Sequence, residues 1–201
     1  MIDGSIKMIN KLLFVDVETT STDRLRSGVY QIAGIIEYEK VYEEFNLFCN
    51  IFDTDIVDEK SLKAAGRTSL MLNELPNPVD IFQKFIDLLS KHVDRYNRND
   101  KFTAIGYFSE FDAEVLRSWF KKNKDNYFGS WFWHPFLDVS QLVAYVYQEN
   151  RDLFKNFQLK TVAYMVEATE EKNEEVYHDA LFDVRLTRTM YYKLNEMLLR
   201  I

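Results

Sequence analysis

The chain predicts an α/β fold: a central mixed β-sheet that opens with a three-stranded antiparallel meander and is flanked by helices. Three observations carry this expectation. Three apolar runs rich in branched residues follow one another near the start with short links. Amphipathic segments with three- and four-residue spacing then alternate with a further strand-like run. The longest amphipathic segment closes the chain, placed to lie across the sheet.

Residues 1–10 read as a lead-in, and KLLFVDVETT (11–20) begins the sheet. Its apolar part is nearly continuous, as expected of a strand covered on both faces. The polar stretch STDRLRSG (21–28) ends in a Ser-Gly turn signal. Residues 29–37 and 42–51 are the next two strands, linked near Glu39 and Lys40. Cys49 falls at the end of the third, where a small buried side chain suits it better than a nucleophile's role.

A short helical turn is expected at 61–65, and LNELPNP (72–78) leads into a firm helix. Val79, Phe82, Phe85, Ile86 and Leu89 form its apolar face, and His92 is expected in its last turn, where an imidazole suits the helix dipole. Residues 102–108 are a fourth strand, and 109–122 a helix whose Ser109 and Asp112 match a capping box. Asp112 also shares a face with Val115, Leu116 and Trp119, beside the packed stripe. The aromatic stretch 127–136 offers rings that cover a core edge or stack on bases. Asp138 caps a helix running to about Tyr147, a short helix is expected at 157–166, and an acidic loop at 167–175. In the closing helix, 179–199, Thr187, Met190, Leu194 and Met197 form one stripe, and a step back of four from Thr187 reaches Asp183.

The length of 201 residues suits one domain spanning 1–201. A hydrophobic fraction of 47% and an aromatic fraction of 15% provide a large core. A net charge of -7 argues against broad duplex binding through a basic surface, yet not against a nucleic-acid enzyme whose acids are offset by metal. With one cysteine, no intrachain disulfide or cysteine-based zinc site is expected. No signal sequence or membrane span is expected, so the expected location is the reducing cytoplasm.

The chemistry concentrates in acids. Asp16 and Glu18 lie two positions apart at a strand end, so both carboxylates point to one side. They repel each other unless a positive group compensates, and carboxylate oxygens are what magnesium or manganese prefers. The same D-x-E pattern also occurs where a strand merely ends in solvent. With Asp112 and Asp183, four acids can hold two divalent cations that act on a phosphodiester. His178, just before the last helix, has a pKa suited to accepting a proton from water, although a histidine there also serves as a cap or surface residue.

FVDVETTS (14–21), GYFSEFDAEVL (106–116) and HDALFDVRLT (178–187) resemble, in order, the three motifs of the DEDDh-type 3'-5' exonucleases of the ribonuclease H-like superfamily. That family includes the proofreading subunit of bacterial DNA polymerase III. The resemblance implies a ribonuclease H-like fold and Asp16, Glu18, Asp112 and Asp183 as ligands of two Mg2+ ions, with Mn2+ able to substitute. It also implies His178 as general base, and contacts to the substrate from Glu18, the backbone near Thr19, Thr20 and Phe108. Two positions depart from the common family pattern: Ser21 where glycine is frequent, and Phe108 where asparagine is frequent. The implied activity is release of nucleoside 5'-monophosphates from single-stranded DNA ends, alone or beside a polymerase or repair complex. RNA trimming is the alternative with the same chemistry, and a weakly catalytic nucleic-acid-binding subunit is the alternative from another class.

Overall fold

The computed structural model describes residues 10–170 and 179–199. Five strands form one sheet in the order β3-β2-β1-β4-β5. β1 (Lys11–Thr19), β2 (Val29–Tyr38) and β3 (Val41–Phe48) make the antiparallel meander. On the other side of β1, β4 (Phe102–Gly106) and then β5 (Leu137–Asp138) pair in parallel. The expected mixed sheet is therefore present, with β1 in the middle.

The strand at the centre separates two cores by its own alternation. Leu13, Val15 and Val17 point toward α3 (Pro78–Ser90) and α4 (Ser109–Lys122), where Phe82, Phe85, Trp119 and Phe120 pack. Phe14 points to the opposite face, against α6 (Val139–Val146), α7 (Leu159–Met165) and α8 (Ala180–Leu198). By the same parity, Asp16 and Glu18 belong to the α8 face. Gly34 keeps β2 close beneath its neighbours: a Cβ there would stand 2.5 Å from the Phe45 ring and 2.7 Å from the Phe14 carbonyl oxygen.

Several local expectations are revised. The third strand ends at Phe48 rather than at 51, and Cys49 lies just beyond it, fully buried, with its thiol donating to the Val29 carbonyl at 3.1 Å. Burial, then the nearby Asp55 charge, pushes that thiol up to about 12, consistent with an inert packing role. Two short helices lie within 53–78 where the sequence predicts one helical turn: α1 (Glu59–Ala64) and α2 (Ser69–Asn73), whose Leu62 and Leu72 pack on Tyr30. His92 lies beyond α3, not in its last turn. Its Nδ1 and Nε2 meet the Tyr38 hydroxyl at 3.0 Å and Glu43 at 2.9 Å, tying the helix exit to the β2–β3 hairpin. The aromatic connection is chiefly core: it contains α5 (Phe128–Trp131), and Phe128, Trp131, Phe132 and Phe136 are all buried. Among the described residues, no helix is long and apolar enough to cross a membrane.

Candidate active site

The end of β1 is shaped by an irregularity in its pairing with β2. Glu18 stands opposite Gln31, but Thr19 stands opposite Val29, so Tyr30 is the extra residue of a bulge. The Tyr30 side chain is buried, and its hydroxyl donates to Glu18 Oε2 at 3.4 Å. Opposite Asp16 is Ala33, fully buried and too small to fill the face, which leaves room for α8 to approach.

Asp183, in the first turn of α8, occupies that room. Carboxylate oxygens of Asp16, Glu18 and Asp183 all lie within 4.8 Å of one another. Asp112 approaches from α4. It is buried, and its Oδ1 accepts a hydrogen bond from the Val17 backbone at 3.2 Å, which fastens the helix start to the strand between the two acids. The capping-box reading of Ser109 and Asp112 is therefore corrected. Phe108, not Ser109, is the N-cap; it makes no side-chain cap, and Asp112 is engaged by β1 instead.

These acids line a cleft of about 810 Å³ at the ends of β1 and β4, the edge at which parallel α/β sheets commonly present their sites. Phe108 forms part of the wall with its ring half exposed, and its backbone is left-handed at φ 54° and ψ 43°. That conformation is uncommon for a bulky side chain and points to a local constraint. Asp138 supplies it: Oδ1 accepts from Phe108 N at 3.2 Å and caps α6 through Ser140 N at 2.8 Å. Phe111, Leu159, Arg24, Gln158 and Lys160 complete the walls.

Of the expected substrate contacts, Glu18 and Phe108 line the cleft, whereas the Thr19 and Thr20 side chains do not. Thr20 is fully buried, accepting from Gly28 N at 2.8 Å and donating to the Ile56 carbonyl at 2.6 Å; Thr19 donates to the Ser21 carbonyl at 2.8 Å. Both stabilise the loop after β1. Ser21 is accommodated there, with Oγ accepting from Asp23 N at 3.3 Å. His178 lies outside the described residues. Arg24 and Lys160 were not legible as cleft residues, because neither sits in a pattern that distinguishes it from a solvated side chain.

The electrostatics suit a cation. Burial, then the charges of Asp112, Glu18 and Asp183, hold the Asp16 carboxyl well above the usual carboxylate range. Burial and then Asp183 push Glu18 up to about 7, and burial raises Asp112. An all-oxygen set of crowded, mutually repelling acids is what a hard divalent cation relieves, so the residues fit one. A pH test follows. A carboxyl raised on folding stabilises the protein when neutral, so this contribution is complete below about 4.5 and is lost as pH rises through about 7. Metal-free protein should therefore lose on the order of 1–3 kcal/mol through Glu18 across that range. Thermal unfolding with a chelator and with Mg2+ from pH 5 to 8 checks this. The gap between the two series should widen with pH, and a constant gap would contradict it.

The family model described as Exonuclease (RNase_T) matches residues 13–191. No curated protein matches the chain. Among solved structures, apo exonuclease I is similar with a TM-score of 0.71 at 20% identity, over 95% of this chain and 43% of that one. The zinc-ion-bound complex of E. coli exonuclease I with ssDNA gives a TM-score of 0.69 at 20% identity, over 94% of this chain and 41% of that one. E. coli exonuclease I in complex with a dA16 oligonucleotide gives 0.68 at 21% identity, over 93% and 41% respectively. The chain thus spans less than half the length of the proteins it matches in fold.

Proposed function

Because this chain belongs to the exonuclease family across residues 13–191, we propose that it is a metal-dependent 3'-5' exonuclease acting on single-stranded DNA ends and releasing nucleoside 5'-monophosphates. The observation that supports this most directly is the meeting of Asp16, Glu18 and Asp183 oxygens within 4.8 Å at the floor of an open cleft. Those three residues, with Asp112, would hold two divalent cations, Mg2+ in the first instance and Mn2+ in its place. When bound, such cations neutralise phosphate charge and make water a better nucleophile at neutral pH.

The chain's own groups do the rest. Phe108, Phe111 and Leu159 give the cleft apolar walls against which a terminal base can lie; Lys160 adds a positive charge to the lining, while Arg24 there is paired with Glu114 at 3.0 Å. Tyr30 steadies Glu18 from behind through its hydroxyl. Asp112 keeps the strand end and the α4 start in one piece. His178 would accept the proton of the attacking water on an imidazole nitrogen. A site of this kind needs few basic side chains, which fits the net charge of -7 and favours short single strands over long duplexes. One domain across 1–201 working beside a polymerase or repair complex fits the same reading.

The test uses matched DNA and RNA oligonucleotides labelled at the 5' end, with Mg2+ and with Mn2+. The DNA should shorten in a ladder and release 5'-mononucleotides, and a 3'-phosphate should slow it. Faster shortening of the RNA would move the substrate assignment to RNA, since discrimination rests on the 2'-hydroxyl. Efficient cutting of a covalently closed circular strand would refute exonucleolytic action altogether.

A further inference from the structure

The first turn of α8 carries Asp183 and follows directly on His178, so the site depends on where that turn is held. We propose that Gln31 is a positioning residue that locks the start of α8, and with it Asp183, onto the carboxylate end of β1. The inference rests on the metal-site reading above and extends it to a residue outside the cleft wall.

Gln31 lies on β2 directly opposite Glu18, so its side chain shares the face of Asp16 and Glu18. It is fully buried. The two hydrogens of its amide meet two acceptors: Asn46 Oδ1 on β3 at 3.0 Å and Asp179 Oδ2 at 3.1 Å. Asp179 is the N-cap of α8. Its Oδ1 accepts from Phe182 N at 3.1 Å, and its carbonyl accepts from Asp183 N at 3.0 Å. One carboxylate therefore joins the sheet to the helix turn that presents Asp183.

The oxygen of the same amide is left over. Gln31 Oε1 is buried and meets no partner among the described residues. An unmade hydrogen bond in the interior is unfavourable, and an apolar side chain of similar length would avoid it. The residue is thus better explained by what its donors hold than by packing. Two further polar ties of α8 to the sheet lie further along the helix. Arg185 reaches Glu44 at 3.2 Å and Arg188 reaches Glu37 at 2.8 Å, both partly in solvent. Neither restrains the first turn, where helices fray most readily.

The experiment compares Q31M, Q31E, D179N and the double variant Q31E/D179N. Mn2+ affinity is read by electron paramagnetic resonance, amide hydrogen exchange is followed across 180–184 in metal-free protein, and kcat and KM are measured on an oligonucleotide. Q31M keeps the length and removes both donors. It should weaken Mn2+ binding by about 10–100-fold, lower kcat with KM little changed, and speed exchange at the start of α8. Q31E turns a carboxylate toward Asp179 and should be worse than Q31M. Q31E/D179N exchanges donor and acceptor at the net charge of the wild type. The amide introduced at position 179 would donate to the carboxylate introduced at position 31, while its oxygen still caps Phe182 N. This pair should recover at least about ten-fold of the affinity lost in Q31E.

Folded Q31M with wild-type Mn2+ affinity and wild-type exchange would overturn the proposal, as would a double variant no better than Q31E. If Q31E does not fold, Q31M decides. Absence of Mn2+ binding by the wild type would refute the metal reading instead, and the exchange comparison would still decide the role of Gln31.

Discussion

Replacing Asp16 with Asn should lower turnover by more than about 100-fold while leaving the fold intact. Asp16 stands at the centre of the acids: its carboxyl is raised by burial and by the charges of Asp112, Glu18, Asp183 and Asp179 together. An amide of the same shape keeps the packing and removes the charge on which a cation would depend. It also removes that mutual repulsion, so metal-free D16N should be at least as stable at neutral pH as the wild type. Two measurements separate these effects: single-turnover cleavage at saturating Mg2+, and thermal unfolding in chelator. Full activity of D16N would refute the assigned ligand set. Lost activity together with a large loss of metal-free stability would mean that Asp16 serves the fold rather than the chemistry.

His178→Ala should lower the rate of the chemical step by roughly 10²–10⁴-fold if His178 takes the proton of the attacking water. Metal affinity and oligonucleotide binding should stay close to wild type, since the ligand set does not need an imidazole. The variant's rate should also lack the acidic limb of the wild-type profile, where the imidazole becomes protonated. A residue that only capped the helix would behave otherwise, with about 1 kcal/mol of stability lost and little change in turnover. Asp179 already fills the capping position of α8 through Phe182 N, which leaves that alternative little to explain. Near wild-type single-turnover cleavage by H178A would return His178 to a structural role and require another path for the proton.

The elements at the site were legible to different depths. Helix α4 begins and ends where the sequence predicts, Ser109 to Lys122, because its apolar spacing is strong and continuous. The role of Asp112 within it is another matter. The S-x-x-D spacing suggests a local cap, while the actual partner of the carboxylate is Val17 N, far away in the chain. Phe108 illustrates the same limit. Its departure from the common asparagine is visible in sequence, but its left-handed backbone and the hold of Asp138 on its N–H are not. Thr20 follows the acids in the motif and yet turns into the loop, because its hydroxyl finds Gly28 and Ile56 there.

What the sequence determined by itself is the periodicity: a β1 whose alternation sets Asp16 and Glu18 on one face, and an α8 whose stripe turns Asp183 inward. These follow from local geometry, since a side chain's direction is fixed by its own strand or helix. Only the tertiary structure decided which groups satisfy one another. Gln31 reads in sequence as one polar residue in an apolar strand, and becomes a link to α8 only when Asp179 arrives within 3.1 Å. The Asp16, Glu18 and Asp112 carboxyls likewise rise only after packing removes water from around them and brings the acids together. Hydrogen bonds and buried charges depend on distances between elements far apart in the chain, which local spacing does not encode.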